Sequence, residues 1–154
     1  CTTIFLLLWF LTQVWSISYR AAVVEHKPIV QEYGKQLNKS EAQKIMLQNL
    51  EKYRVFAEQA SQRGAQIILF PEDGLYGPAF PFRNLIFPYL EEIPEYTQYK
   101  VIPCLDSRFD DRPIFKGVSC MARKYKIVVV VNMGDVQYCS KKVGVDEWRL
   151  LTLL

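Results

Sequence analysis

A chain of 154 residues, half of them hydrophobic and 14% aromatic, can bury one core and is too apolar to be disordered. Its 19 basic and 16 acidic residues are well mixed and leave a net charge of only +3. That charge is too mild and too scattered for a nucleic-acid footprint, so nucleic-acid binding is set aside.

The first eighteen residues, CTTIFLLLWFLTQVWSIS, carry no charge. Ile4 to Leu11 is an unbroken apolar run, extended by Val14 and Trp15, and the small residues Ser16 and Ser18 follow. This reads as the hydrophobic region and cleavage site of a secretory signal peptide over residues 1–18, too short to span a bilayer comfortably. A buried N-terminal strand is the rival reading. Without a starting methionine or a basic flank, the N-terminus reads as incomplete, and a mature secreted chain would begin near Tyr19.

YRAAVVEH predicts a short strand, ended by Pro28, which cannot donate to a ladder. His26, the one histidine, stands beside Glu25 and reads as half of a local hydrogen-bonded structural pair. Asn38-Lys39-Ser40 is a glycosylation sequon, meaningful only if the chain is secreted. Asn38 with Glu41 reads equally well as a helix capping box. Met46, Leu50, Tyr53, Ala57 and Ala60 then recur at spacings of four and three, which predicts one helix face, widened by Ile45 and Phe56. Gly64 closes that helix. AQIILF, bounded by Gly64 and Pro71, predicts a strand buried on both faces.

Six of the eight prolines fall between Pro78 and Pro113, which excludes long regular elements there. RNLIFPYL fits one short helix or an extended piece. A second helix is predicted over Ile114–Tyr125, with Val118, Met121, Ala122 and Tyr125 on one side. IVVVV, residues 127–131, is another buried strand. The order strand, helix, strand, loop, helix, strand argues for α/β architecture with right-handed crossovers. Residues 140–154 break this rhythm and read as a divergent tail, so the domain part is 19–139.

Cys1 would leave with a signal peptide. Cys104, Cys120 and Cys139 then permit three single pairings, each leaving one cysteine over. No cysteine has zinc spacing and no second histidine accompanies them, so no metal site is expected.

Active groups of open α/β sheets gather at the carboxyl ends of strands. Glu72 lies two residues past the end of QIILF, and Asn132 to Asp135 follow IVVVV. If the two strands are parallel neighbours, both sets of polar groups face one crevice. Glu72 is then the best general-base candidate, and burial against Phe70 and Tyr76 would raise its pKa into a useful range. Asp73 is expected to accept backbone hydrogen bonds in the turn toward Gly74. Tyr76 either lines a substrate pocket or fills core. Arg123, Lys124, Lys126, Lys141 and Lys142 read as solvated helix and loop ends, because no glycine-rich loop accompanies them.

In order and at plausible spacings, AAVVEH, QASQRGAQIILFPEDGLYG, IFPYLEEIP, VIPC, GVSCMARKYKIVVVVNMGD and Cys139 carry a family resemblance. Over residues 19–139 the chain resembles the vanin and biotinidase branch of the nitrilase superfamily. The resemblance implies about the first half of an α-β-β-α sandwich, and a secreted or membrane-anchored amidase that cleaves carbon–nitrogen bonds in small amides. It implies a glutamate, lysine and cysteine mechanism needing no metal or organic cofactor. The thiolate attacks the amide carbonyl, the glutamate serves as base and then acid, and the lysine helps hold the oxyanion.

By the PED match the glutamate is Glu72. The lysine and nucleophilic cysteine of the family lie downstream of the strand equivalent to VVVVNMGD, and Lys141, Lys142 and Cys139 do not replace them. Cys139 matches a family cysteine whose implied role is a structural disulfide. The chain alone is therefore expected to be inactive and to carry no membrane anchor. Its substrate class is a small-molecule amide, pantetheine narrowly ahead of biotinyl-lysine. The alternative is a non-catalytic secreted fragment or binding module. An unfinished sheet is expected to expose apolar surface and limit solubility.

Overall fold

The computed structural model describes residues 18–78, 80–94 and 101–138, together with the backbone of 148–152. The signal-peptide reading of residues 1–18 and the expectations for Cys139 fall on residues outside that set, apart from Ser18.

The first strand, β1 (Ala21–Val23), leads through an extended segment to the long helix α1 (Lys39–Gln62). Asn38 starts α1 with a reciprocal capping box. Its side chain accepts the Glu41 N–H at 3.0 Å, and the Glu41 carboxylate accepts the Asn38 N–H at 2.9 Å. The stripe expected from spacing is the buried face: Met46, Leu50, Tyr53, Ala57 and Ala60, joined by Ala42 and Asn49. Gly64 ends the helix in the left-handed region at φ 74°, which a side chain rarely adopts.

Strand β2 (Ile67–Leu69) follows, then a proline-rich stretch of single 3-10 turns. The RNLIFPYL segment resolves into two such turns, Arg83–Leu85 and Phe87–Tyr89, because Pro88 cannot continue a helix begun upstream. Helix α2 (Pro113–Tyr125) opens with proline at its first turn, where no N–H is needed. Its free N–H groups at Ile114 and Phe115 are taken at 3.1 and 2.8 Å by the carboxylate of Glu91, a buried side chain from the preceding loop. Among the described residues no helix is long and apolar enough to cross a membrane.

Strand β3 (Val128–Val130) completes a three-stranded sheet in the order β1-β2-β3, both pairings parallel. Ile67 stands between Ala21 and Val128, and Leu69 between Val23 and Val130. Helices α1 and α2 pack on each other, and Ile68 is buried among Met46, Leu50, Tyr53, Ile114 and Met121 on the helix side. The expectation of strands buried on both faces is corrected here. Side chains alternate along a strand, and the face opposite the helices is open among the described residues: Val23 is 80% and Val128 59% exposed. Among the described residues the parallel α/β core is thus a sheet covered on one side.

The chain continues past β3 into β4 (Gly134–Tyr138), which pairs antiparallel with β5 (Trp148–Thr152). Residues 140–154, expected from the sequence to be a divergent tail without strand rhythm, include β5. WRLLT has a short β-competent pattern whose partner is local, and its low hydrophobic contrast hid it.

Candidate active site

Pro71 ends β2, and residues 72–76 form the turn that carries the acidic pair. Asp73 adopts left-handed backbone geometry, φ 55°, and its carbonyl accepts the N–H groups of Tyr76 at 3.3 Å and Gly77 at 2.6 Å. These backbone donors go to the Asp73 main-chain carbonyl and not to the carboxylate that the sequence pattern suggests. Glu72 is exposed, so its expected burial against Phe70 and Tyr76 is corrected. Phe70 continues the β2 alternation to the helix side, where it stacks on Tyr53 with ring centroids 3.8 Å apart, and it leaves Glu72 uncovered.

Three buried or half-buried side chains from three parts of the chain hold this turn. From just beyond β3, the Asn132 side-chain oxygen accepts the Asp73 N–H at 3.2 Å and the Tyr76 hydroxyl at 3.4 Å. From α1, Asn49 donates to the Leu75 carbonyl at 2.9 Å and makes a two-way bond with the Ile29 backbone, both at 2.8 Å. From the segment after β1, His26 Nε2 lies 3.2 Å from the Gly74 carbonyl. A carbonyl only accepts, so that nitrogen carries the proton.

His26 does not pair with Glu25 as expected; it bridges 48 residues to the turn and sits edge-on to Tyr53 and Phe56. Burial, aided by Lys52, pushes its pKa down, which favours the neutral ring. Below Gly74 lies the buried Tyr53 hydroxyl, which finds no hydrogen-bond partner among the described residues.

Tyr76 belongs to the core by its ring, which meets Phe80 and Tyr89, and to the site by its hydroxyl. Burial first, then the charges of Asp73 and Glu72, push its pKa up to about 12. The Asp73 carboxyl is also held above its usual range, by burial and by Glu72 beside it. Parallel pairing of β2 and β3 thus brings Asn132 to the Glu72 turn, as the strand-end argument anticipated. Asp135 goes elsewhere: its buried carboxylate accepts the Ile93 N–H at 2.7 Å and the Gln137 amide at 2.8 Å.

Asn49 escaped the sequence reading. Its signal was present, since it lies three residues after Met46 and four before Tyr53, a polar residue inside an apolar stripe. Cys104 and Cys120 form a disulfide that ties a 3-10 turn, Pro103–Leu105, to α2.

In open α/β sheets ligands bind outside the carboxyl ends of the strands, and the braced turn that carries Glu72 stands at such an end, beyond β2. The carbon–nitrogen hydrolase family model matches residues 20–150. Biotinidase from Takifugu rubripes is 42% identical over 140 residues, which cover 90% of this chain and 28% of that protein. Pantetheinase from Mus musculus is 42% identical over 125 residues, 80% of this chain and 24% of that protein. Pantetheine hydrolase VNN2 from Homo sapiens is 38% identical over 127 residues, with 81% and 24% covered. The chain belongs to the carbon–nitrogen hydrolase family and spans about a quarter of the length of these relatives.

Proposed function

We propose that this chain supplies the general base and acid, Glu72, of an amidase that hydrolyses carbon–nitrogen bonds in small non-peptide amides. The observation that carries the reading is the turn at 71–77, fixed from three sides with Glu72 left open to solvent at the end of β2. In the proposed reaction Glu72 takes the proton of a cysteine thiol, and the thiolate attacks the amide carbonyl. A lysine holds the oxyanion, and Glu72 returns the proton to the departing amine. Water, deprotonated by Glu72, then releases the acid from the thioester.

Cys104 and Cys120 are joined to each other, so neither offers a thiolate. The family resemblance draws the nucleophile and the lysine from further along the polypeptide. The disulfide and the solvent-exposed sequon at Asn38 support an extracellular setting. Asn38 spends only its oxygen on the helix cap, which leaves the side-chain nitrogen for a glycan. Pantetheine is the substrate proposed first and biotinyl-lysine the alternative; the relatives include both pantetheinases and biotinidases.

The test is a chimaera of mouse pantetheinase carrying residues 20–138 of this chain, assayed on pantetheine and on biotinyl-lysine. Glu72→Gln should lower kcat by roughly 100-fold or more, the range of a general base. Retained turnover in that variant would sink the reading.

A further inference from the structure

The geometry points to Asn132 as a positioning residue for Glu72, an inference that rests on reading Glu72 as the general base. The Asp73 N–H that Asn132 accepts belongs to the peptide plane that begins at the Glu72 carbonyl. Orienting that plane fixes ψ of Glu72, and with it the direction in which the Glu72 side chain leaves the turn. The same amide oxygen also receives the Tyr76 hydroxyl, so the turn is pinned on both sides of Gly74.

The left-handed backbone of Asp73 gives a second reason that something must hold this place. For a residue with a side chain that conformation costs about 1–2 kcal/mol, and it persists only where the surroundings over-determine it. Asn132 is able to do so because β3 brings it there. Leu69 pairs with Val130, and the Phe70 N–H donates to the Val130 carbonyl at 3.0 Å, which locks the two strand ends in register. Asn132 follows two residues later as a buried side chain.

His26 and Asn49 hold the turn further on, at the carbonyls of Gly74 and Leu75. Among the described residues, Asn132 is the side chain that bonds the peptide adjoining Glu72. A donor-only N–H requires an acceptor oxygen at this place, which Asn and Asp supply and Leu does not.

Amide hydrogen exchange in the chain is the direct test. Asn132→Leu should accelerate exchange of the Asp73 amide about tenfold, as expected for the loss of one hydrogen bond, and leave the Phe70 amide unchanged. Asn132→Asp, which keeps an acceptor oxygen, should restore slow exchange. In the natural protein carrying this sequence, Asn132→Leu should lower kcat with KM held within about twofold. An unchanged Asp73 amide overturns the proposal, and so does equal acceleration at Asp73 and Phe70. If Glu72→Gln leaves turnover intact while the exchange pattern appears as stated, the role of Glu72 fails and the bracing of the turn stands.

Discussion

Gly74 lies so close to the Tyr53 ring that an added Cβ would overlap the hydroxyl oxygen, with the Pro71 carbonyl oxygen a further 3.2 Å obstacle. Among the described residues the hydroxyl is buried without a partner, and such a group costs about 1–3 kcal/mol. Tyr53→Phe removes it and keeps the stack on Phe70, so urea unfolding should show stability raised by about 1 kcal/mol. Gly74→Ala should destabilise by about 1–3 kcal/mol through overpacking, and adding Tyr53→Phe should recover part of that loss. Full additivity of the two changes would mean that the hydroxyl and position 74 do not collide. At this scale the sequence showed where the acidic group stands, because PED follows an apolar run ended by proline. It did not show that Glu72 faces outward or that His26 reaches Gly74. Both depend on contacts between segments about fifty residues apart, which no local pattern records.

Among the elements, α1 and α2 were legible because their apolar residues recur with helical spacing and their ends carry Asn38, Gly64 and Pro113. The strands were legible as apolar runs, but AQIILF and IVVVV carry no alternation that separates a covered face from an open one. The covering is decided by where the helices pack. The link between the 3-10 turn at Pro103–Leu105 and α2 was one of three open pairings in the sequence; the structure joins Cys104 to Cys120, 16 residues apart. Closing a loop of that length stabilises the folded chain by about 3 kcal/mol in the chain-entropy account. Reduction under native conditions should therefore lower the urea midpoint of unfolding. A midpoint unmoved by reductant would show that the turn is held by its other contacts, including the Cys104 N–H bond to the Ser119 hydroxyl at 3.2 Å.

Across the whole molecule, three buried phenols set an alkaline limit. Tyr76 and Tyr89 are pushed up to about 12 by burial, and Tyr53 is pushed higher still. Because the folded state holds these protons more tightly than an unfolded chain, their contribution is complete below pH of about 10, where both states are protonated. It is lost as pH rises from about 10 towards about 12, since the unfolded chain releases its protons first. Urea midpoints taken at pH about 9 and about 11 should fall together with the appearance of tyrosinate absorbance, and Tyr76→Phe should soften the decline. A midpoint independent of pH over that interval would contradict the burial of these hydroxyls. Among the described residues the sheet face with Val23 and Val128 outward is uncovered, and apolar surface of that kind favours association.

Arg108, Arg112 and Lys116 all lie between the two half-cystines of the Cys104–Cys120 bridge. A trypsin-like cut after Arg108 would divide the polypeptide while sulfur keeps its halves together. The piece carrying β1, α1 and β2 would stay tethered to the piece carrying α2 and β3. On a gel such nicked protein would run as one band until a thiol is added, then as two.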